Sequence, residues 1–211
     1  MEKPYHTSGC MVCGKELIAN ARVEDVVCFY CGQTFSSNVV CANHHYVCDG
    51  CHSSTGLEIM RRVCAGSTET DAAALMQAIR SHPSFPIHGP EHHSLVPAVI
   101  LTALRNNGYS ISQKQIDTAI DRGKTVIGGA CGFMGACGAA VGAGNALSLL
   151  MEGSPYDAVK RQKVIQSTSD ILGKIAQYTA ARCCQRDSWV ALRAIADTIK
   201  DELGMILPVG K

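Results

Sequence analysis

Twelve cysteines in 211 residues fall into two groups with the types and spacing for metal or redox chemistry. Three Cys-x-x-Cys pairs open the chain: Cys10/Cys13, Cys28/Cys31 and Cys48/Cys51, with Cys41, His44 and His45 between the second and third. A two-residue gap lets both thiolates of a tight turn reach one tetrahedral zinc ion at about 2.3 Å, while backbone N–H groups of the turn soften the charge. The glycines after Cys13 and Cys31 suit that turn. Two such pairs at this separation fall within zinc-ribbon spacing.

Two pairings follow from the order of ligands. A sequential one joins Cys10, Cys13, Cys28 and Cys31, and separately Cys41, a histidine, Cys48 and Cys51. A cross-braced one joins Cys10 and Cys13 with Cys41 and a histidine, and Cys28 and Cys31 with Cys48 and Cys51. Spacing allows both. His45 is the better histidine, because Cys41-x-x-x-His45 leaves the loop more room to return than His44 does. His44 and His52 read as exposed loop residues, and Cys64 as a small buried side chain.

The other four cysteines form two clusters, Cys131 and Cys137 in GGACGFMGACGAAVGAG and the vicinal Cys183-Cys184 in ARCCQRDSW. A helix beginning near Gly138 would put Cys137 at its N-terminus, where the dipole favours thiolate, and Arg182 and Arg186 would do the same for the vicinal pair. Four thiolates could hold an iron–sulfur cluster. Fewer, with His92 or His93 and with Glu91 supporting the histidine, could bind another metal. Either pair could cycle between dithiol and disulfide, or all four could be small residues of a Gly/Ala-rich core. These readings stay open. The four are expected to converge, with Cys183 in an irregular junction, because adjacent helical residues point about 100° apart.

The elements that must position these residues differ between the two halves. Residues 1–66 hold eight cysteines and few long apolar runs, so that module needs metal or disulfides for stability. From residue 67 to 211 the pattern is helical. Thr70 or a neighbour caps a helix with Leu75, Met76 and Ile79 on its apolar face, ending before Pro83. Ser94 caps a nearly all-apolar helix that should lie at the centre, with Pro97 in its first turn. Ser112 and Gln115 form a capping-box pattern. Ser154-Pro155 opens a helix to about residue 181, and a last one spans roughly Ser188 to Leu203. The expected fold is a zinc-ribbon-like or cross-braced zinc module followed by an all-α domain.

A formal net charge of +1 gives no field to attract nucleic acid or anionic membrane. The opening MEKPYHTSGC has no signal-peptide apolar run, so a cytoplasmic protein with reduced thiols is expected. Thr125 to Met151 is uncharged and long enough to span a bilayer, but its Gly/Ala/Cys composition favours a buried helix instead. The glycine run lacks the Gly-Lys-Ser/Thr ending of a phosphate-binding loop.

HGPEHHSLVPA, GGACGFMGACGAAVGAG and RCCQRDS, with the N-terminal CMVCGKEL, CFYCG and HYVCDGCHS, resemble an uncharacterised prokaryotic family of methanogens and anaerobic bacteria. Members of that family occur alone or behind a SAM-dependent methyltransferase domain. A shorter likeness, through GACGAAVGA, is to the redox proteins named for a Cys-Gly-Cys-Ala-x-x-Gly and paired-cysteine pattern. That likeness implies redox or cluster roles for Cys137, Cys183 and Cys184.

The expected function is a metal-binding protein, with zinc and an iron–sulfur cluster or redox dithiol, acting in redox or cofactor handling beside a partner such as a redox enzyme or methyltransferase. The alternatives are a zinc-module adaptor without a redox centre and a cysteine-nucleophile enzyme with His92 or His93 as its base.

Overall fold

The computed structural model describes residues 9–52, 54–179 and 183–210. The chain begins with a two-stranded antiparallel ribbon, β1 (Leu17–Val27) and β2 (Thr34–Cys41), and continues through α1 (Asp49–His52) and α2 (Gly56–Gly66). Then follow α3 (Ala72–Arg80), α4 (Glu91–Asn106), α5 (Gln113–Lys124), α6 (Ala130–Phe133), α7 (Gly138–Leu150), α8 (Ala158–Ile175) and α9 (Cys184–Leu203). A two-strand sheet with cysteine clusters thus precedes a mostly helical region. No described helix is long and apolar enough to cross a membrane.

The ribbon's ends are cysteine turns. Cys28 and Gln33 close one through a 2.9 Å backbone bond, and Cys10 and Lys15 close the other at 2.7 Å. Gly14 and Gly32, each just after the second cysteine of its pair, sit at φ of 71° and 68°, a region that disfavours any Cβ. Pairing runs from Leu17↔Cys41 to Val27↔Thr34 with a register shift between Ala19 and Glu24. Such an irregularity bends a ribbon. Tyr46 accordingly bridges to Cys28, and the Phe29 and His45 rings lie 5.3 Å apart, so the two cysteine turns end up as neighbours.

Helix α4 is the centre of the helical part. Every residue from His92 to Leu104 is buried, and the helix touches α2, α3, α5, α7 and α9. Two glycines permit close approaches to its backbone. A Cβ at Gly123 of α5 would stand 2.7 Å from the His93 carbonyl oxygen, and one at Gly142 of α7 would stand 2.9 Å from the same atom. The Ser94 hydroxyl donates to the Ile120 carbonyl at 2.8 Å.

Several helix starts differ from the sequence expectation. Ser94 is not a cap: α4 starts three residues earlier, after Pro90, and Ser94 is wholly buried against α5. Helix α8 starts not at Ser154-Pro155 but after Asp157, whose carboxylate accepts from the Lys160 N–H at 3.0 Å, and it ends at Ile175. Helix α9 begins four residues before Ser188. The Ser112/Gln115 capping box forms as expected.

Helix α2 is the element the cysteine-rich composition hides. Thr55 and Glu58 cap it reciprocally, and Ile59, Met60, Val63 and Cys64 join the same core as Leu75 and Leu101. Arg61 reaches Asp117 and Asp121 of α5 at 2.8 and 2.7 Å. Helical packing therefore begins at residue 56, inside the segment that composition assigns to the N-terminal module.

The end of α2 also seats the cysteine turn, because a Cβ on Gly66 would fall on the Cys31 carbonyl oxygen. Gly66→Ala should destabilise the protein by about 1–3 kcal/mol, as overpacking does. Gly173 of α8 meets nothing within 4 Å, so Gly173→Ala should stabilise by roughly 0.5–1 kcal/mol through helix propensity. Urea midpoints of the two variants test this; equal midpoints would refute the contact.

Candidate metal centres and a cysteine-lined cavity

The bent ribbon sorts the N-terminal ligands into two tetrads, Cys10, Cys13, Cys41 and His45, and Cys28, Cys31, Cys48 and Cys51, each with its ligand atoms within 4.8 Å of one another. This is the cross-braced grouping. Tetrahedral bonds of about 2.3 Å to sulfur place neighbouring sulfurs roughly 3.8 Å apart, and a shorter bond to nitrogen brings sulfur and nitrogen slightly closer. Cys13 and Cys41 sulfurs are 3.8 Å apart, Cys31 and Cys48 3.9 Å, and Cys41 Sγ lies 3.5 Å from His45 Nδ1. Both sets could hold a metal ion such as zinc.

Backbone amides prepare some of these sulfurs. Burial alone would raise the Cys28 thiol, but N–H groups of Cys31, Cys48 and Tyr30 outweigh it and bring the group down to about 7. The Cys51 thiol is pushed up, first by burial and then by the Cys28 thiolate beside it. Four crowded sulfurs ionise together only around a cation, so a metal bound here would be coupled to proton release. His44 is exposed in the left-handed region at φ 60°, so it turns the chain between Cys41 and His45. Cys64 is fully buried and held up to about 11 by that burial.

One supporting residue escaped the sequence reading. His82 in the proline-rich loop is buried, and its Nε2–H donates to the Cys51 carbonyl at 2.9 Å while Nδ1 accepts from the Ser84 N–H at 3.1 Å. Its ring meets Tyr30 edge-on at 4.7 Å. A histidine just before a proline-rich loop carries no sequence signal for such a role.

The four remaining cysteines line one cavity of about 770 Å³ between α4, α7, α8 and α9. Cys137 is the N-cap of α7 and Cys183 that of α9, the latter at φ −98° and ψ 13°, so Cys183 sits in the irregular junction and Cys184 opens the helix. Arg182 lies outside the described residues. Asp187, buried one turn into α9, collects the two caps: its Oδ2 accepts from Cys183 Sγ at 2.6 Å and from Cys137 Sγ at 3.6 Å. Arg186 donates to the other oxygen from Nε and Nη2 at 3.0 and 2.9 Å. The Cys-x-x-x-Asp spacing, one helical turn, was the available signal for it.

This carboxylate corrects the expected ionisation. Burial, and after it the Asp187 charge, push both Cys137 and Cys183 up to about 11, beyond what the α7 amides and Arg186 recover. The pair is a pair of thiols. Cys131 is exposed on the rim, beside the exposed Phe133 and Met134.

The residues before α4 divide. His93 lines the cavity. His92 also reaches its wall, but Nε2–H donates to the Pro86 carbonyl at 3.0 Å and Nδ1 accepts from Arg80 at 3.3 Å, so neither nitrogen is free for a ligand. Glu91 is not part of the lining. Successive helix positions turn by about 100°, and its carboxyl lies over Gly89, with its stem toward Gly56 of α2.

With these positions fixed, comparison with known proteins adds one match. The chain belongs to the DUF5714 family. The family is described as one of unknown function, and its pattern matches residues 60–211. No curated protein and no solved structure matches the chain. The DUF5714 segment contains the whole cavity lining and none of the tetrad residues.

Two measurements test this geometry. Native mass spectrometry should find two thiophilic ions per chain, and Cys41→Ser should remove one while the Cys28 tetrad keeps its own; loss of both, or of neither, would contradict separate tetrads. The second concerns His92, pushed down from 6.5 to about 4 by burial. A depressed folded-state value contributes stability above the unfolded value that is lost as pH falls through the folded one, here on the order of 3 kcal/mol in full. His92→Gln, able to make both hydrogen bonds without titrating, should flatten the decline between about pH 6.5 and 4. An unchanged acid limb in urea unfolding would count against this.

Proposed function

We propose that this protein is a zinc-braced thiol redox protein, in which Cys137 and Cys183 cycle between dithiol and disulfide as an accessory to another enzyme, a redox enzyme or methyltransferase. The observation that carries the reading is the shared carboxylate. Two cysteines from the starts of two different helices donate to one oxygen of a buried Asp187, on the wall of a cavity of ligand size. Oxidation of the pair removes two electrons and two protons, and Asp187 stands where the proton of Cys183 must go. An external disulfide is the oxidant: its S–S bond breaks, two thiols leave, and the Cys137–Cys183 bond forms.

Zinc in the two tetrads supports this chemistry from a distance. The cysteine and histidine donors, four to a set and at tetrahedral spacing, suit a structural ion. Zinc has no redox chemistry of its own, so it holds the ribbon while the cavity reacts.

An iron–sulfur cluster is the second reading, favoured by the four sulfurs lining one cavity. Asp187 weighs against it, because a cluster is held by thiolates and the carboxylate favours thiols at two of the four positions. Anaerobically purified protein separates the two. The dithiol reading expects a reversible two-electron titration that Cys137→Ser and Cys183→Ser each abolish while metal content stays constant. Bound iron that disappears with Cys137→Ser would establish the cluster instead.

A further inference from the structure

His93 is held more elaborately than a core histidine needs. Its Nδ1 lies 3.0 Å from the Val126 carbonyl oxygen, which can only accept, so the ring proton is on Nδ1 and Nε2 carries a lone pair. The side chain is only 9% exposed and lines the cysteine cavity. Three glycines on two helices close around this residue. Gly123 and Gly142 meet its carbonyl, which Pro97, four residues on, gives no helical donor. Gly138 meets the ring itself: a Cβ there would fall on the edge carrying Cδ2 and Nε2. Gly138 directly follows Cys137, so the unprotonated nitrogen is set against the turn that carries a cavity thiol.

We infer that His93 is the proton acceptor for Cys137 once that thiol turns from its long 3.6 Å contact with Asp187 Oδ2, while Asp187 serves Cys183. The inference rests on the thiol-exchange reading and assigns its acid–base chemistry. In the first half, the Cys137 proton moves to His93 Nε2 and the sulfur's electron pair forms a bond to one sulfur of the external disulfide. The external S–S bond breaks, and the departing thiolate takes the proton back from Nε2. In the second half, the Cys183 proton moves to Asp187 Oδ2, Cys183 sulfur attacks Cys137 sulfur, and the second external thiolate leaves and takes that proton. One external disulfide and two protein thiols give one protein disulfide and two external thiols, with no proton or electron unaccounted for. His92, with both nitrogens engaged, has no such capacity.

The test uses the full-length, metal-replete, reduced protein and 2-hydroxyethyl disulfide, a neutral probe. Mixed-disulfide formation at Cys137 is followed by peptide mass mapping across pH, in the wild type and in His93→Gln, His93→Ala and Gly138→Ala. His93→Gln should slow exchange at Cys137 about 100-fold near neutral pH. The deficit should shrink as pH rises, because a thiol that ionises unaided no longer needs the base. Added imidazole should restore rate to His93→Ala, a response that a purely structural role would not produce. Gly138→Ala should reproduce the loss with His93 still present, which keeps the inference testable if His93 variants fold poorly. Wild-type rate and pH profile in His93→Gln would overturn the assignment and leave thiol exchange standing. A wild-type protein in which Cys137 does not exchange at all would overturn the thiol reading, and this inference with it.

Discussion

The approach of α5 and α7 to the first turn of α4 is the constraint from which the helical part follows. Side chains at 123 and 142 would hold those helices away from the His93 carbonyl; glycines let them meet it, and the Ser94 hydroxyl fastens the contact to Ile120. Burying a helix start so deeply is costly unless its polar groups find partners. Here Ser94 bonds the neighbouring helix, His92 bonds a loop carbonyl, and His93 bonds Val126. Because α7 is drawn onto α4 at its own N-terminal end, Cys137 is delivered to the mouth of the space that α8 and α9 then enclose.

The geometry of the tetrads depends on that helical body as well as on the ribbon. A ribbon with exposed Leu17, Val23 and Val27 buries little apolar surface of its own. Its inner face is nevertheless packed: Tyr30 is buried against His82, His82 holds the Cys51 carbonyl, and Gly66 lets α2 rest on the Cys31 turn. The second tetrad is therefore part of the hydrophobic core, while the first, with Cys13 exposed, stands at the outer end of the bent ribbon.

What the sequence made legible was local. The cysteine turns with their glycines, the Ser112/Gln115 box, the central apolar helix and the helix start at Gly138 are all written in neighbouring residues, where short-range sterics and hydrogen bonds decide the outcome. Tertiary contact decided the rest. The grouping of tetrads depends on the Leu17↔Cys41 pairing and the Cys28–Tyr46 bridge, which no ligand spacing encodes. Ser94 has a capping residue's chemistry but spends its hydroxyl across the helix interface. Ser154 lost its helix to Asp157, three residues on, whose charged oxygen is the stronger acceptor for the first-turn amides. Helix α2 was concealed by the cysteine-rich company it keeps, and Glu91 was misdirected because helix phase, not sequence adjacency to His92 and His93, sets where it points.

The two sets of cysteines also show why residue type alone is a poor guide to thiol chemistry. Around Cys28, backbone N–H groups converge on sulfur and lower it to about 7 despite burial, which suits sulfurs that must share a cation. Around Cys137 and Cys183 burial, and after it a converging carboxylate, holds the same residue type up to about 11. Helix starts and nearby arginines pointed toward thiolate at these two positions, and each contribution is present: the α7 amides act on Cys137 and Arg186 acts on Cys183. They are outweighed first by the burial of the two sulfurs, to which the Asp187 carboxylate adds, with Arg186 bound to that same carboxylate. The cavity pair is therefore kept as thiols with a proton acceptor already in place, whereas the tetrads are sets of sulfurs that ionise together only around a cation.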